Sequence, residues 1–273
     1  MRRFRKPALT LALVALSLLL LGWTAQKNQI TQFPSHAIFD YQLGGGYPPA
    51  PGIGGVSRDS LDMPAKDMYS ICYVNGFQSQ PDERMMWLKA HRALLLADEK
   101  GWPIVDPNWP DEFILNTATA KSRSQIAAII NRTINICAKK HFVAVEIDNL
   151  DSYTRSGGRL TENGALALAR LYAVKAHALG LAIAQKNAGD LGKRGRGEVG
   201  FDFAVAEECR RFDECALYAH AYGSKVIDIE YTDDLRGTIA DTCADPQIPF
   251  STIIRDRNLT RPGNATYFFH SCH

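Results

Sequence analysis

The sequence has no C-x-x-C and no Cys/His pair at metal-ligand spacing, which argues against a structural zinc site. Neither serine nor cysteine sits in a nucleophile-elbow pattern, so a serine hydrolase is not expected. No internal repeat or low-complexity tract interrupts the 273 residues. Gly44-Gly-Gly46 invites a phosphate-loop reading, but neither G-x-x-x-x-G-K nor G-x-G-x-x-G follows it. A turn that lets backbone approach substrate is the expectation there. No cofactor and no metal are expected.

A surplus of either charge is also missing, with 31 lysines and arginines against 29 aspartates and glutamates. Four of the cations, Arg2, Arg3, Arg5 and Lys6, precede an apolar stretch from Ala8 to Trp23, the n-region and h-region of a secretory signal. A membrane span needs about 20 apolar residues, so residues 1–25 read as a signal peptide, with membrane attachment only if the segment is retained. Its removal leaves 27 basic and 29 acidic residues. A nucleic-acid partner needs a basic face, which an almost neutral domain does not supply. A neutral or cationic ligand fits better, and an exported monomer is expected.

Six cysteines, Cys72, Cys137, Cys209, Cys215, Cys243 and Cys272, all follow the leader. An even count in an oxidising compartment predicts disulfides, and the short spacing of Cys209 and Cys215 makes them the expected local pair.

Acidic residues cluster where apolar runs end. Phe142-Val-Ala-Val-Glu-Ile-Asp-Asn-Leu-Asp151 is strand-like and closes on Glu146, Asp148, Asn149 and Asp151. Alternation along a strand puts Glu146 and Asp148 on one face, and an unpaired buried charge is costly. Phe201-Asp-Phe-Ala-Val-Ala-Glu-Glu-Cys209 repeats the design with Glu207 and Glu208, of which period-two reasoning sends only one inward. Val226-Ile-Asp-Ile-Glu-Tyr231 ends with Glu230. Acids at several strand tips are the layout of a barrel active site.

The exported length, roughly 248 residues, suits a single (β/α)8 barrel, an α/β fold of the TIM type. Eight strands are predicted, at 36–43, 69–74, 103–105, 142–148, 181–186, 201–206, 225–231 and 250–254. Ile126, Ile129, Ile130, Ile134 and Cys137 share one helix face, as do Leu168, Leu171, Tyr172 and Leu179, with Gly180 ending the second helix. Residues 44–66, rich in Gly and Pro, read as a long loop, residues 191–197 as an irregular crossover, and the tail after Arg255 as loop that Cys272 pins to the body.

Several motifs carry a family resemblance: Phe39-Asp-Tyr-Gln-Leu-Gly-Gly45, Ile71-Cys-Tyr73, Glu146-Ile-Asp-Asn-Leu-Asp151, Gln185-Lys-Asn187, the segment from Phe201 to Cys209 with Asp213-Glu-Cys215, and Glu230-Tyr231. In this order they resemble glycoside hydrolase family 114, endo-α-1,4-polygalactosaminidases with a barrel fold. The resemblance implies hydrolysis within α-1,4-linked galactosamine polymers of microbial exopolysaccharide; a glycosidase acting on another α-galactoside-type glycan and a non-catalytic polysaccharide-binding barrel are the alternative readings. It implies that Asp148 is one catalytic carboxyl and Glu207 the other, with Glu208 as the alternative. Glycoside cleavage needs such a pair, one protonated and one ionised, and Asp148 is taken as nucleophile and Glu207 as acid/base.

The remaining acids, Asp40, Glu146, Asp151, Glu208 and Glu230, are expected to bind substrate ammonium groups. Asp40 and Glu146 are alternatively expected to pair with Lys186 inside the barrel. Tyr41, Tyr73, Trp109 and Tyr231 offer flat apolar faces near strand ends, and Tyr73 and Tyr231 lie in the matching motifs. The family pattern departs at Glu112-Phe-Ile-Leu-Asn116, where Glu-x-Trp-Leu-Asp is expected, and at Thr232-Asp-Asp234, where the family tends to have glycine.

Overall fold

Alternation of small and bulky apolar residues gives each strand two dry faces. One set, including Phe39, Ile71, Ala144, Ala184, Phe203, Val205, Ile229 and Ile253, packs inward as the barrel core. The other, including Cys72, Val74, Val145, Ile147, Ile183, Ala204 and Ala206, meets the surrounding helices. A strand buried on both faces belongs in a parallel sheet covered by helices.

The computed structural model describes residues 29–273, so the predicted signal peptide lies outside the described residues. Eight parallel strands follow one another around a TIM-like barrel: β1 (Ile38–Gln42), β2 (Ile53–Asp59), β3 (Tyr69–Asn75), β4 (Ala144–Asp148), β5 (Ala182–Lys186), β6 (Phe203–Glu207), β7 (Val226–Tyr231) and β8 (Ser251–Arg255). A ninth, β9 (Phe269–Ser271), runs antiparallel along β8. Side chains join β8 to β1: Ser251 Oγ donates to the Ala37 carbonyl at 2.6 Å. Arg255 donates to the Asp40 carboxylate at 2.8 Å and to the Tyr41 carbonyl. Phe33 plugs the bottom, its ring 5.4 Å from Phe39 and 4.8 Å from Phe203.

The helices are α1 (Arg84–Ala90), α2 (Ala120–Lys139), α3 (Glu162–Ala178), α4 (Cys215–Tyr222) and α5 (Ile239–Cys243). Thr119 caps α2 by accepting from Ser122 N, and Ile126, Ile130, Ile134 and Cys137 form its buried stripe. Gly180 follows α3 with φ of +79°, the left-handed turn that a Cβ disfavours. Leu171, expected on the buried face of α3, is instead exposed. No helix among the described residues is long and apolar enough to cross a membrane.

Two predicted strands change. Residues 103–105 are not a barrel strand; they make isolated antiparallel bridges in an excursion over the rim, residues 76–119, which also carries α1. The second strand is Ile53–Asp59, inside the stretch expected to be loop. Its glycines are there for contact with β1: a Cβ on Gly55 would lie 2.3 Å from the Phe39 ring, and one on Gly54 2.8 Å from Ala37 Cβ. Gly44 likewise packs on the Leu259 carbonyl, 2.4 Å from where its Cβ would be. The crossover at residues 191–197 is irregular as expected; Gly195 abuts Gln185 Oε1 there. Disulfides join Cys72 to Cys137, Cys209 to Cys215, and Cys243 to Cys272.

Candidate active site

β4, β5 and β6 end in the same way. Each places a polar side chain last on its inward face, Asp148, Lys186 and Glu207. Each is followed by a non-glycine residue in the left-handed region, Asn149 (φ 63°), Asn187 (φ 49°) and Glu208 (φ 62°). That conformation costs roughly 1–2 kcal/mol for an L-residue and least for Asn. It turns the chain sharply outward and leaves the last side chain at the rim.

The three side chains meet. Lys186 Nζ lies 3.5 Å from Asp148 Oδ2 and 3.1 Å from Glu207 Oε2. Lys186 is almost wholly buried, whereas the carboxylates of Asp148 and Glu207 keep 16% and 26% exposure and so face the cleft above. Tyr73 donates its hydroxyl to Asp148 Oδ2 at 2.7 Å, and Asn149 N donates to Oδ1 at 2.6 Å. Tyr231 donates to Glu207 Oε1, and Asn187 Nδ2 to Oε2 at 3.2 Å. Asn187 Oδ1 accepts from Glu207 N at 2.8 Å, which fixes the backbone as well.

Beneath Lys186 lies a dry polar floor. Glu146 accepts from Tyr41 OH at 2.5 Å and Ser57 Oγ at 2.8 Å, and its carboxylate is 4.0 Å from Lys186 Nζ. Lys186 donates to Tyr41 OH at 3.0 Å.

Burial sets the electrostatics and the partners modify it. Burial pushes the Glu146 carboxyl up to about 7, against the pull of Lys186 and its hydrogen bonds. Burial also works against the Lys186 ammonium, but Asp148, Glu207 and Glu146 outweigh it and hold the proton on firmly. For Glu207 burial would raise the pKa; Lys186 and the bonds from Tyr231 and Asn187 overcome that and leave it below the usual glutamate range.

The cleft above has a volume of about 790 Å³, within the usual range for ligand sites. Seven carboxylates line it, those of Glu112, Asp148, Asp151, Asp190, Glu207, Glu208 and Glu214, against three cations, Arg155, Lys186 and Arg257. The rim is therefore negative although the whole chain is nearly neutral.

The cleft brings together Tyr73, Asp148, Asp151, Lys186, Glu207, Glu208 and Tyr231. Asp151 is bonded to Arg155 at 2.7 Å. Glu207 and Glu208 both line the cleft, because the left-handed turn at Glu208 breaks the alternation that would send only one inward. Tyr73 and Tyr231 spend their hydroxyls on the carboxylates, which fixes the acids in place.

Three expected substrate contacts lie elsewhere. Asp40 points out of the core face and pairs with Arg255, Gln42 and Tyr47, not with Lys186. Glu146 is wholly buried in the floor and does not line the cleft. Glu230 shares the outward face of β7 with Asp228, while Ile227, Ile229 and Tyr231 take the inward one. Its Oε1 accepts from Arg210 N at 2.8 Å, and its Oε2 is buried without a partner.

Sequence reasoning missed Asn187, although it stands in a quoted motif, and Glu112, whose carboxyl burial pushes up to about 7 beside Asn75. It also missed Arg257, which sits in a tail read as loop. Cys209, Cys215 and Asp228 group closely enough to suggest metal ligands, but the two sulfurs are joined to each other.

Residues 22–273 match the glycoside-hydrolase family GH114. Among solved structures, Ega3 of Aspergillus fumigatus in complex with galactosamine is 23% identical, with a TM-score of 0.69 over 89% of this chain and 98% of that one. The glycoside hydrolase domain of PelA from Pseudomonas aeruginosa is 13% identical, with a TM-score of 0.57 over 84% of this chain and 97% of that one. At these identities the likeness is one of fold. A search of curated proteins gave no match.

Proposed function

The chain belongs to glycoside-hydrolase family GH114, and on that premise we propose that it is an exported, endo-acting hydrolase of α-1,4-linked galactosamine polymers, with Asp148 as nucleophile and Glu207 as acid/base. The observation that carries the reading is the carboxylate pair at the cleft floor sharing one buried ammonium, Lys186 Nζ. Those two legs, 3.5 and 3.1 Å, laid end to end limit Asp148 Oδ2 and Glu207 Oε2 to a separation of about 6.6 Å. Retention needs roughly 5–5.5 Å and inversion roughly 6.5–9.5 Å, so the limit favours retention.

In the first step Asp148 attacks the anomeric carbon while Glu207 gives its proton to the departing glycosidic oxygen. The glycosyl ester removes the charge of Asp148, and the field of Lys186 at the cleft then falls on Glu207, with Glu146 below it in the floor. That stabilises Glu207 as the carboxylate that takes a proton from the incoming water in the second step. Because Glu207 is held below its usual range in the free enzyme, its acid form is scarce at neutral pH. The expected kcat/KM profile therefore falls as pH rises above the acidic range.

A polymer carrying ammonium groups suits a cleft with seven carboxylates and three cations. Galactosamine is the ligand of Ega3, whose fold this chain shares. Three disulfides and the leader of residues 1–25 support export, with residues 26–273 as one monomeric catalytic domain.

The test is reducing-end release from partly deacetylated α-1,4-galactosamine polymer by residues 26–273, with proton NMR of the first product anomer. Release of oligomers in the retained configuration is expected. Monomer alone, the inverted anomer, or no release by folded protein would each remove one part of the reading.

A further inference from the structure

Arg257 lies in the loop after β8, a segment with no regular structure, yet the loop is firmly tied. Asp256 accepts from Thr260 N at 2.9 Å and Phe268 N at 3.2 Å, and Arg255 donates to the Thr260 carbonyl at 3.0 Å. Gly44 allows close backbone approach to the same loop at Leu259.

Within that frame the guanidinium of Arg257 is nearly used up. Nη1 and Nη2 form a fork on Glu208 at 3.0 and 2.9 Å. Nε and Nη2 bind Asp233 at 3.1 and 2.9 Å. Four of the five N–H donors of a guanidinium are thereby engaged, which leaves little with which to hold a ligand. Its face lies 4.2 Å from the centroid of the Tyr231 ring, close enough for a cation–π contact. The hydroxyl of that ring is the donor to Glu207 Oε1.

We propose that Arg257 is a positioning residue for catalysis: it fixes the Tyr231 ring from the cleft side, and through it the Glu207 carboxyl, with Glu208 and Asp233 as its anchors. The role of Glu208 is then structural to the pair, which explains why two adjacent glutamates enter one cleft. This rests on the glycosidase reading above for the identity of the reaction, but the placement itself stands on the contacts.

The proposal has an electrostatic consequence. Glu207 is faced by Lys186 of β5, Tyr231 of β7, Tyr41 of β1, Asn187 after β5 and, across Lys186, Asp148 of β4. Burial and the Glu207 carboxylate hold the Tyr231 phenol well above its usual range, so it remains a donor. Arg257 pulls the phenol the other way and so makes it a stronger one. Removing Arg257 weakens that bond to the carboxylate, and Glu207 titrates at higher pH.

The experiment compares Arg257→Met, Arg257→Lys, Tyr231→Phe and the double variant Arg257→Met/Tyr231→Phe on partly deacetylated α-1,4-galactosamine polymer. Arg257→Met is expected to lower kcat about tenfold or more with KM within about twofold, and to move the alkaline limb of kcat/KM to higher pH. Arg257→Lys, which keeps charge but loses the fork, falls between. On the Tyr231→Phe background the Arg257 change should add less than about twofold, because both act through one contact.

A change confined to KM with an unmoved profile would make Arg257 a substrate contact and overturn the proposal, as would full additivity with Tyr231→Phe. Carbon-13 NMR of labelled glutamate carboxyls, with the Glu207 signal assigned by Glu207→Gln, reads the same shift without substrate. Should the parent fail on this polymer, the substrate reading fails while that titration still decides the role of Arg257. Should Arg257→Met not fold, Arg257→Lys and Glu208→Gln, expected to shift Glu207 in the same direction, carry the test.

Discussion

The exits of β6 and β7 are neighbours in the sheet, and each carries two acids, Glu207 with Glu208 and Asp228 with Glu230. Their surroundings are opposite. Glu207 ends an inward-facing set, meets Lys186, Tyr231 and Asn187, and opens to the cleft. Asp228 and Glu230 stand on the outward face behind the Cys209–Cys215 disulfide, where Cys209 N, Thr252 and Arg210 N are their partners. Burial and the mutual charge of the two push Asp228 well up, and burial raises Glu230 as well. Strand parity decides which pair can touch a ligand, and a cation decides which pair stays ionised.

The comparison is broken most directly by neutralising one acid from each strand. Glu207→Gln should lower kcat/KM about a thousandfold or more, the scale of a lost acid/base or nucleophile, whereas Glu230→Gln should stay within about twofold. Equal losses in the same assay would mean that parity does not separate them.

Next in size is the cation. Lys186→Met leaves Asp148 and Glu207 facing each other unshielded, and about a hundredfold loss of kcat/KM is expected with the alkaline limb displaced upward. A pH–rate profile that falls in height without moving would deny Lys186 its part in holding Glu207 ionised.

The disulfide between the two strands gives a smaller effect. Cys209→Ser with Cys215→Ser opens a loop of sequence separation 6, and chain entropy assigns that closure about 2 kcal/mol. Cys243→Ser with Cys272→Ser opens one of separation 29, for about 3.6 kcal/mol. Denaturant unfolding should rank them in that order, while activity should rank them in reverse, because only the first loop continues directly from Glu207 and Glu208.

The smallest effect is on stability against pH. The folded state raises the Glu230 and Asp228 carboxyls above their unfolded values and so binds more protons than the unfolded chain. The stability they allow is present at acidic pH and is lost as pH rises from the unfolded carboxylate range through the higher folded values. Glu230→Gln removes its part of that loss, and its thermal midpoint should gain on the parent between pH 4 and pH 8. A difference independent of pH would show that Glu230 does not titrate in the fold.

Much of this arrangement is legible in the sequence because the barrel strands are short apolar runs with polar ends. Asp148 and Glu207 could be picked from their motifs, and Glu146 beside Asp148 from strand parity. The misses have physical causes. Parity also governs β7, but Glu230 and Tyr231 are adjacent, and which of them faces inward depends on how the whole strand is phased. β2 was hidden by Gly54 and Gly55, residues that normally signal turns, whose small size here admits Ala37 and Phe39. Arg257 and Asn187 act through contacts with residues far off in sequence or across a turn, and no local pattern announces these.

The seam between β8 and β1 has no backbone ladder, and the Arg255 and Ser251 side chains bridge it. Its partners are separated by more than two hundred residues, 214 for Ser251 and Ala37. During synthesis β1 therefore waits with an open edge until β8 has been made, and an open sheet edge invites pairing with another chain. Closing the barrel is a job for β8, and a chain that stops before it would leave the earliest strand with an edge open to other chains.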